Sequence, residues 1–196
     1  MADWTVAWQP KTLEKTPVFN TAVTRFRDAS NQYAALQDAA SYRFRLSFDY
    51  QISQALIYAI EAFFIARKGR YESFTFPCYS ERIKGTTLAC ANSDPDTITD
   101  SGSGILVARF AVGGKVTITG STASNDKVAD IHATTAPIAG TLTLAADETL
   151  NAESSNSALT IYNTYDVHFD EDMFYQRFIQ VQTGAMRTIE LYAESY

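Results

Sequence analysis

Cysteine is nearly absent from the chain: Cys78 and Cys90 are the only two in 196 residues. They are too few for a disulfide scaffold and have no CxxC spacing, so both are expected as reduced, partly buried thiols. Histidine is as scarce. His132 and His168 fall in different expected strands, and neither has a second His or Cys at ligand spacing; each is expected on a sheet surface, which excludes a zinc centre or a histidine-based triad. No GxSxG, HExxH or P-loop pattern occurs. The acidic run Asp170-Glu171-Asp172 lacks the spaced oxygens and glycine of a calcium loop, and is expected as a solvated turn or the acidic start of a short helix containing Met173 to Gln176. Long hydrophobic runs are missing too. The most apolar helical stretch, 52 to 66, contains Gln54 and Glu61 and falls short of the ~20 apolar residues a bilayer span needs. The opening "MADWTVAWQPKTLEK" lacks the pattern of a secretory signal, so folding in the cytoplasm is expected. An enzyme, a cofactor and a bound metal are accordingly not expected.

With 46% hydrophobic and 19% charged residues the composition is that of an ordinary folded protein, and a net charge of -6 argues against a general nucleic-acid binder. The most telling shortage is local. Of 25 aromatic residues, only Phe110 and Tyr162 lie between 87 and 164, a stretch that also holds 13 threonines and three basic residues against eight acidic ones. Residues 1 to 86 carry a net +3 and residues 165 to 196 a net -4. An aromatic-rich host interrupted by a segment of different composition reads as a domain inserted into another: a host of residues 1–86 and 163–196, and an insert of residues 87–162. The loop-rich "NSDPDTITDSGSG" (92 to 104) and "NAESSNS" (151 to 157) mark the edges of the insert, and residues near Gly85 and Asn163 should be neighbours.

In the host, "TAVTRFRD" (21 to 28) has period 2, with Val23 and Phe26 on opposite faces. "SYRFRLSFDY" (41 to 50) alternates strictly, placing Tyr42, Phe44, Leu46, Phe48 and Tyr50 on one face and Arg43, Arg45, Ser47 and Asp49 on the other. The period then becomes helical over about 53 to 68. Ser53 suits the N-cap, Leu56, Ile57, Ile60, Phe63 and Phe64 form one apolar stripe, and Gly69 suits the left-handed position past the end. "ESFTFP" follows as a strand that Pro77 stops or confines to an edge. Strands at 165 to 169, 178 to 184 and 186 to 194 complete the host, and strands at 104 to 111, 115 to 120, 127 to 133, 140 to 145 and 158 to 163 make up the insert. The fold class is mainly β: a β-sandwich or bent sheet with one packed α-helix, plus an inserted small all-β barrel or sandwich.

The cluster Arg67-Lys68-Gly69-Arg70 is the densest positive stretch. Cations near a helix C-terminus favour its partial negative charge by about 0.3–1 kcal/mol each, which accounts for the cluster without a nucleic acid.

Several pieces, in order, resemble the distal tail proteins of long-tailed phages, with relatives in gene transfer agents and among lambda-like minor tail proteins. They are "FNTAVTRF" preceded by Trp8 and Pro10, the strand "YRFRLSFDY" leading into "FFIARKGRYESFTF", and "YDVHFDEDMF", close to a V-x-F-D-x-D stretch. The resemblance spans about residues 4 to 84 and 163 to 194. The insert departs from many such relatives, which have little or nothing there. It is itself similar to a small β-domain of phage tail proteins, through Phe110, Gly113, Val116, Ile118, Gly120 and Asn125.

The resemblance implies a structural virion protein, assembled in the host cytoplasm and resident at the phage tail tip. Six copies would close a ring joining the tail tube protein to the hub and fibre proteins, with DNA passing through the channel without specific binding. Candidate subunit-interface residues are Trp4 and Trp8, expected as exposed aromatics, Arg43 and Arg45 on the outer face of their strand, and Arg67 and Arg70. The alternative is a receptor- or carbohydrate-binding tail accessory protein acting through the insert, which its shortage of aromatics disfavours.

Overall fold

A computed structural model describes residues 2–19, 21–25, 31–35, 41–48, 53–102, 105, 109–169, 175–181 and 184–195, with no side chains described for residues 2, 21–25, 31–35, 175–181 and 184–195. In chain order the elements are β1 (Ala2–Asp3), β2 (Thr12–Val18), β3 (Thr21–Arg25), β4 (Asn31–Ala35), β5 (Ser41–Phe48), α1 (Gln54–Ala66), β6 (Phe74–Lys84), β7 (Leu88–Ala91) and β8 (Thr97–Asp100). They continue as β9 (Lys115–Thr119), β10 (Lys127–Asp130), β11 (Thr141–Thr143), β12 (Thr160–Phe169), β13 (Tyr175–Val181) and β14 (Gly184–Ser195). At 45% strand against 9% helix, with antiparallel sheets and, among the described residues, a single α-helix, the chain is mainly β. It divides into two compact units, residues 1–74 with 166–196 and residues 75–165, so the division falls at the start of β6 and inside β12.

In the first unit β14 is the organising strand. One edge pairs with β5, from Ile189↔Phe48 to Glu194↔Arg43, and β5 pairs onward with β2 from Thr12↔Ser47 to Val18↔Ser41. The other edge is shared in succession: β13 takes Gly184 to Glu190, and the end of β12 takes Ala193 to Ser195. β3 and β4 form a separate hairpin. The alternation of β5 holds, with Phe44, Leu46 and Phe48 buried and Arg43 exposed.

Helix α1 starts at its expected cap, where Ser53 Oγ accepts from the Leu56 N–H at 3.2 Å. Ile57, Ile60 and Phe64 are buried, as the apolar stripe requires. Arg67 is the C-cap, and both Lys68 (φ 53°) and Gly69 (φ 60°) take the left-handed conformation. The Gly69 N–H then reaches back to the Phe64 carbonyl at 3.3 Å. The helix is therefore shorter than expected, and Arg67, Lys68 and Arg70 lie beyond its last turn.

Trp4 is the centre of this core. It is 2% exposed, lies 6.0 Å from Phe74 in a stacked arrangement, and meets Phe63 edge-on at 5.6 Å. Phe169 joins Phe64 and Phe74 at 4.8 Å each. Rings at these spacings add about 0.5–1.5 kcal/mol per pair beyond the area they bury.

The second unit is built around an aliphatic core of Leu88, Ile98, Ile105, Val116, Ile118, Ile131, Leu142, Leu144, Leu159 and Ile161, with Phe110. One ladder runs β7-β8-β11 and another β10-β9-β12. Bridges at Ile131↔Leu144 and Cys90↔Glu153 extend the pairing around the core. Asn163 Nδ2 donates to Glu81 Oε2 at 2.8 Å, which sets Asn163 four residues short of Gly85 along the partner segment.

Several expected elements are corrected. β8 lies inside the stretch expected as a loop, and β6 runs seven residues past Pro77, because a proline need not end a strand where its missing N–H has no ladder partner. Residues 105 and 109–111 are not strand, although Ile105 and Phe110 are buried; a hydrophobic run reports burial and not pairing. Tyr175 and Gln176 begin β13 instead of closing a short helix. Phe26, Tyr50 and the Asp170-Glu171-Asp172 run lie outside the described residues.

Candidate functional surfaces

The expected interface residues fall into two groups and one correction. Trp4 is not exposed: it is the buried centre of the aromatic core and offers no surface. The alternation of apolar residues does not reach residue 4, so nothing in the sequence distinguished a buried tryptophan from an exposed one. Trp8 is half-buried beside it, edge-on to Trp4 at 5.3 Å and to Phe63 at 5.6 Å. Arg67 lies over the Phe63 ring with its guanidinium carbon 5.8 Å from the ring centre, so Trp4, Trp8 and Arg67 do converge on one helix face.

The second group is on β5. Arg45, half-buried, pairs with the exposed Glu14 of β2 at 3.6 Å, and Arg43 is exposed on the same outer face. Exposed pairs of this kind contribute about 0.2–1 kcal/mol, so they suit recognition more than stability.

Two cations of the basic cluster share one local carboxylate. Glu72 receives Arg67 at 3.0 Å and Lys68 at 3.4 Å, and Lys68 Nζ lies 5.2 Å from the centre of the Tyr71 ring. Ion pairing with Glu72, which the sequence reading did not foresee, thus adds to the helix-end electrostatics it did. Arg70 is exposed at the end of the cluster.

Sequence reading also missed the outer face of α1. Gln54, Ala55, Tyr58, Ala62, Ile65 and Ala66 are exposed and uncharged, and Gln54 Nε2 bonds to the Tyr58 hydroxyl. The signal was available: Glu61 is the only charged residue between Gln54 and Ala66. Surface helices ordinarily carry charge on the face away from the core.

In the second unit the densest polar constellation surrounds Glu153, which is nearly buried. Its carboxylate accepts from the Thr122 N–H at 2.7 Å, Thr122 Oγ1 at 2.9 Å, Asn125 Nδ2 at 3.1 Å, Asn156 Nδ2 at 2.6 Å and the Ser121 hydroxyl. Burial by itself would push this carboxyl up, but the donors from Ser121, Thr122 and Asn125 outweigh it and hold it down to about 2. A carboxylate so fully occupied ties the 119–126 loop to the 151–156 segment; it has no lone pair to spare for a proton transfer or a cation. Burial and the Glu153 charge push the neighbouring Cys90 thiol up to about 11, which leaves it unreactive.

His132 is not on a strand. Its Nδ1 accepts from the Thr134 and Thr135 N–H groups at 3.2 and 2.9 Å and so shapes a turn. Among the described residues no group of three or more His, Cys, Asp or Glu is placed to hold a metal ion, and no helix is long and apolar enough to cross a membrane. Comparison with protein-family models finds no match, and comparison with curated proteins finds none either.

Proposed function

We propose that the chain is a structural subunit of a long-tailed phage tail tip, one of six copies in a ring that joins the tail tube to the hub and fibres. The observation that carries this reading is the ordered set of tail-protein-like segments in residues 4 to 84 and 163 to 194. The surfaces are compatible with it. A ring subunit needs two different, complementary contact faces, and the chain has an uncharged exposed helix face as well as an arginine-bearing outer face on β5. The residues 75–165 unit, whose core is aliphatic and whose polar groups bond mainly to one another, acts in this reading as a spacer or fibre dock.

Deleting the gene from the phage or prophage that carries it tests the proposal. Loss of the chain is expected to yield tubes without complete tips, restored by supplying the protein in trans. Complete, infectious tails in its absence would overturn the reading.

A further inference from the structure

The chain between Leu144 and β12 is fixed differently from the rest of the residues 75–165 unit, and we propose that residues 145–158 are a latched strap that opens while the sheets beneath it stay folded. Among the described residues its only ladder contact is the single bridge Cys90↔Glu153. Leu150 is its one buried apolar residue, and most of the others are exposed. Ordering a segment costs backbone entropy at every residue, and the burial of one leucine offsets little of it. A segment with few buried apolar contacts opens ahead of the core it covers.

What holds the strap is a set of side chains. The Leu150 N–H donates to the Asp96 carboxylate, and the Leu150 carbonyl accepts from Asn92 Nδ2 at 3.0 Å. Asn125 grips the next residue in the same way: its Oδ1 accepts the Asn151 N–H at 2.8 Å and its Nδ2 donates to the Asn151 carbonyl at 3.0 Å. Lys127 Nζ donates to the Thr149 carbonyl at 2.9 Å. The Glu153 carboxylate is the latch proper, since it accepts from Thr122 outside the strap and from Asn156 within it. These bonds can break without unpairing a strand.

Beneath the strap lies the Cys90 thiol, 4% exposed. Besides its burial, the groups that act on this thiol are the Glu153 carboxylate, the Asn125 amide and the Asp96 carboxylate, the same groups that hold the strap. The Cys90 N–H and carbonyl bond to the Glu153 backbone at 3.0 and 2.9 Å. Opening therefore uncovers Cys90 and frees the outer edge of β7. Cys78 is an internal reference: it is 0% exposed, on β6 of the same unit, with its Sγ 3.2 Å from the Ser80 hydroxyl. The strap is independent of the tail-tip reading.

The test alkylates the full-length protein with excess iodoacetamide in mildly alkaline buffer, where an uncovered thiol is partly thiolate, and follows each cysteine by peptide mass spectrometry across low urea concentrations. Cys90 is expected to react about tenfold or more faster than Cys78, with a weaker urea dependence, because opening a strap exposes less surface than unfolding the unit. Glu153→Gln, and Asn156→Ala, which removes one donor to the latch, are expected to speed Cys90 labelling about fivefold or more and to leave Cys78 unchanged. Folding of each variant is checked by near-ultraviolet circular dichroism, and Asn156→Ala decides alone if Glu153→Gln does not fold. Cys90 reacting with the rate and urea dependence of Cys78 would overturn the strap, as would a folded variant that accelerates both thiols alike or leaves Cys90 unchanged.

Discussion

At the residue scale, the strongest local determinants are polar or conformational and sit in the residues 75–165 unit. Glu153 is held down to about 2, below the 4.5 of an unperturbed glutamate. A carboxyl lowered in the folded state contributes stability that is complete above its ordinary value and is lost as pH falls toward the folded one. Amide exchange of the full chain should therefore quicken in 119–126 and 151–156 as pH drops from about 4.5 toward 2, beyond the intrinsic pH dependence of exchange. Glu153→Gln should abolish that acid sensitivity and cost about 1.5–3 kcal/mol at neutral pH, because hydrogen bonds to a charged acceptor are replaced by weaker ones. Protection that is the same in both proteins across this range would show that the cradle is not what pins the loop. Gly120 is a second such residue. Its φ is +74°, and a Cβ there would sit 2.2 Å from the Ala158 carbonyl oxygen. Gly120→Ala is expected to lose more than about 2 kcal/mol, read by denaturant titration, since the left-handed strain alone is ~1–2 kcal/mol and the backbone must also move. Gly120 belongs to a motif visible in the sequence, but the approach of Ala158, far away along the chain, is not legible there.

At the element scale, α1 and its packing set the architecture of the other unit. Trp4→Ala should cost about 3–5 kcal/mol, because the ring fills a site surrounded by Trp8, Phe48, Phe63 and Phe74; a change under 1 kcal/mol in urea unfolding would contradict its place at the centre of the core. Gly69→Ala should cost about 1 kcal/mol through the left-handed position it occupies, with a matching drop in melting temperature. The features that local chemistry determines were readable: the Ser53 cap, the Gly69 terminus, the alternation of β5 and the buried stripe of α1. Features that depend on distant partners were not. β2 carries Pro17 and a largely polar sequence, and is a strand because β5 lies beside it, with Pro17 opposite Tyr42. β8 is a four-residue strand held between β7 and β11 in a stretch whose Asp, Pro, Gly and Ser residues signal turns. Ile105 shows the converse, an apolar residue that plugs the core without joining a ladder.

At the scale of the whole molecule, the aromatic and aliphatic cores correspond to two compact units, one of them assembled from both ends of the chain. The shortage of aromatics between 87 and 164 has a physical counterpart in a core filled by Leu, Ile and Val with Phe110. The contact surfaces were less legible, since exposure depends on the whole fold: Trp4 went inside, while Tyr58, Ile65 and Tyr71 stayed out. For the proposed tail-tip role, the most direct test is cryo-electron microscopy of tail tips from particles encoding this chain. The account predicts a ring of six copies between the tail tube and the hub, each traceable from the α1 aromatics to the aliphatic core of the 75–165 unit. A complete tip that contains no copy of the chain would contradict it.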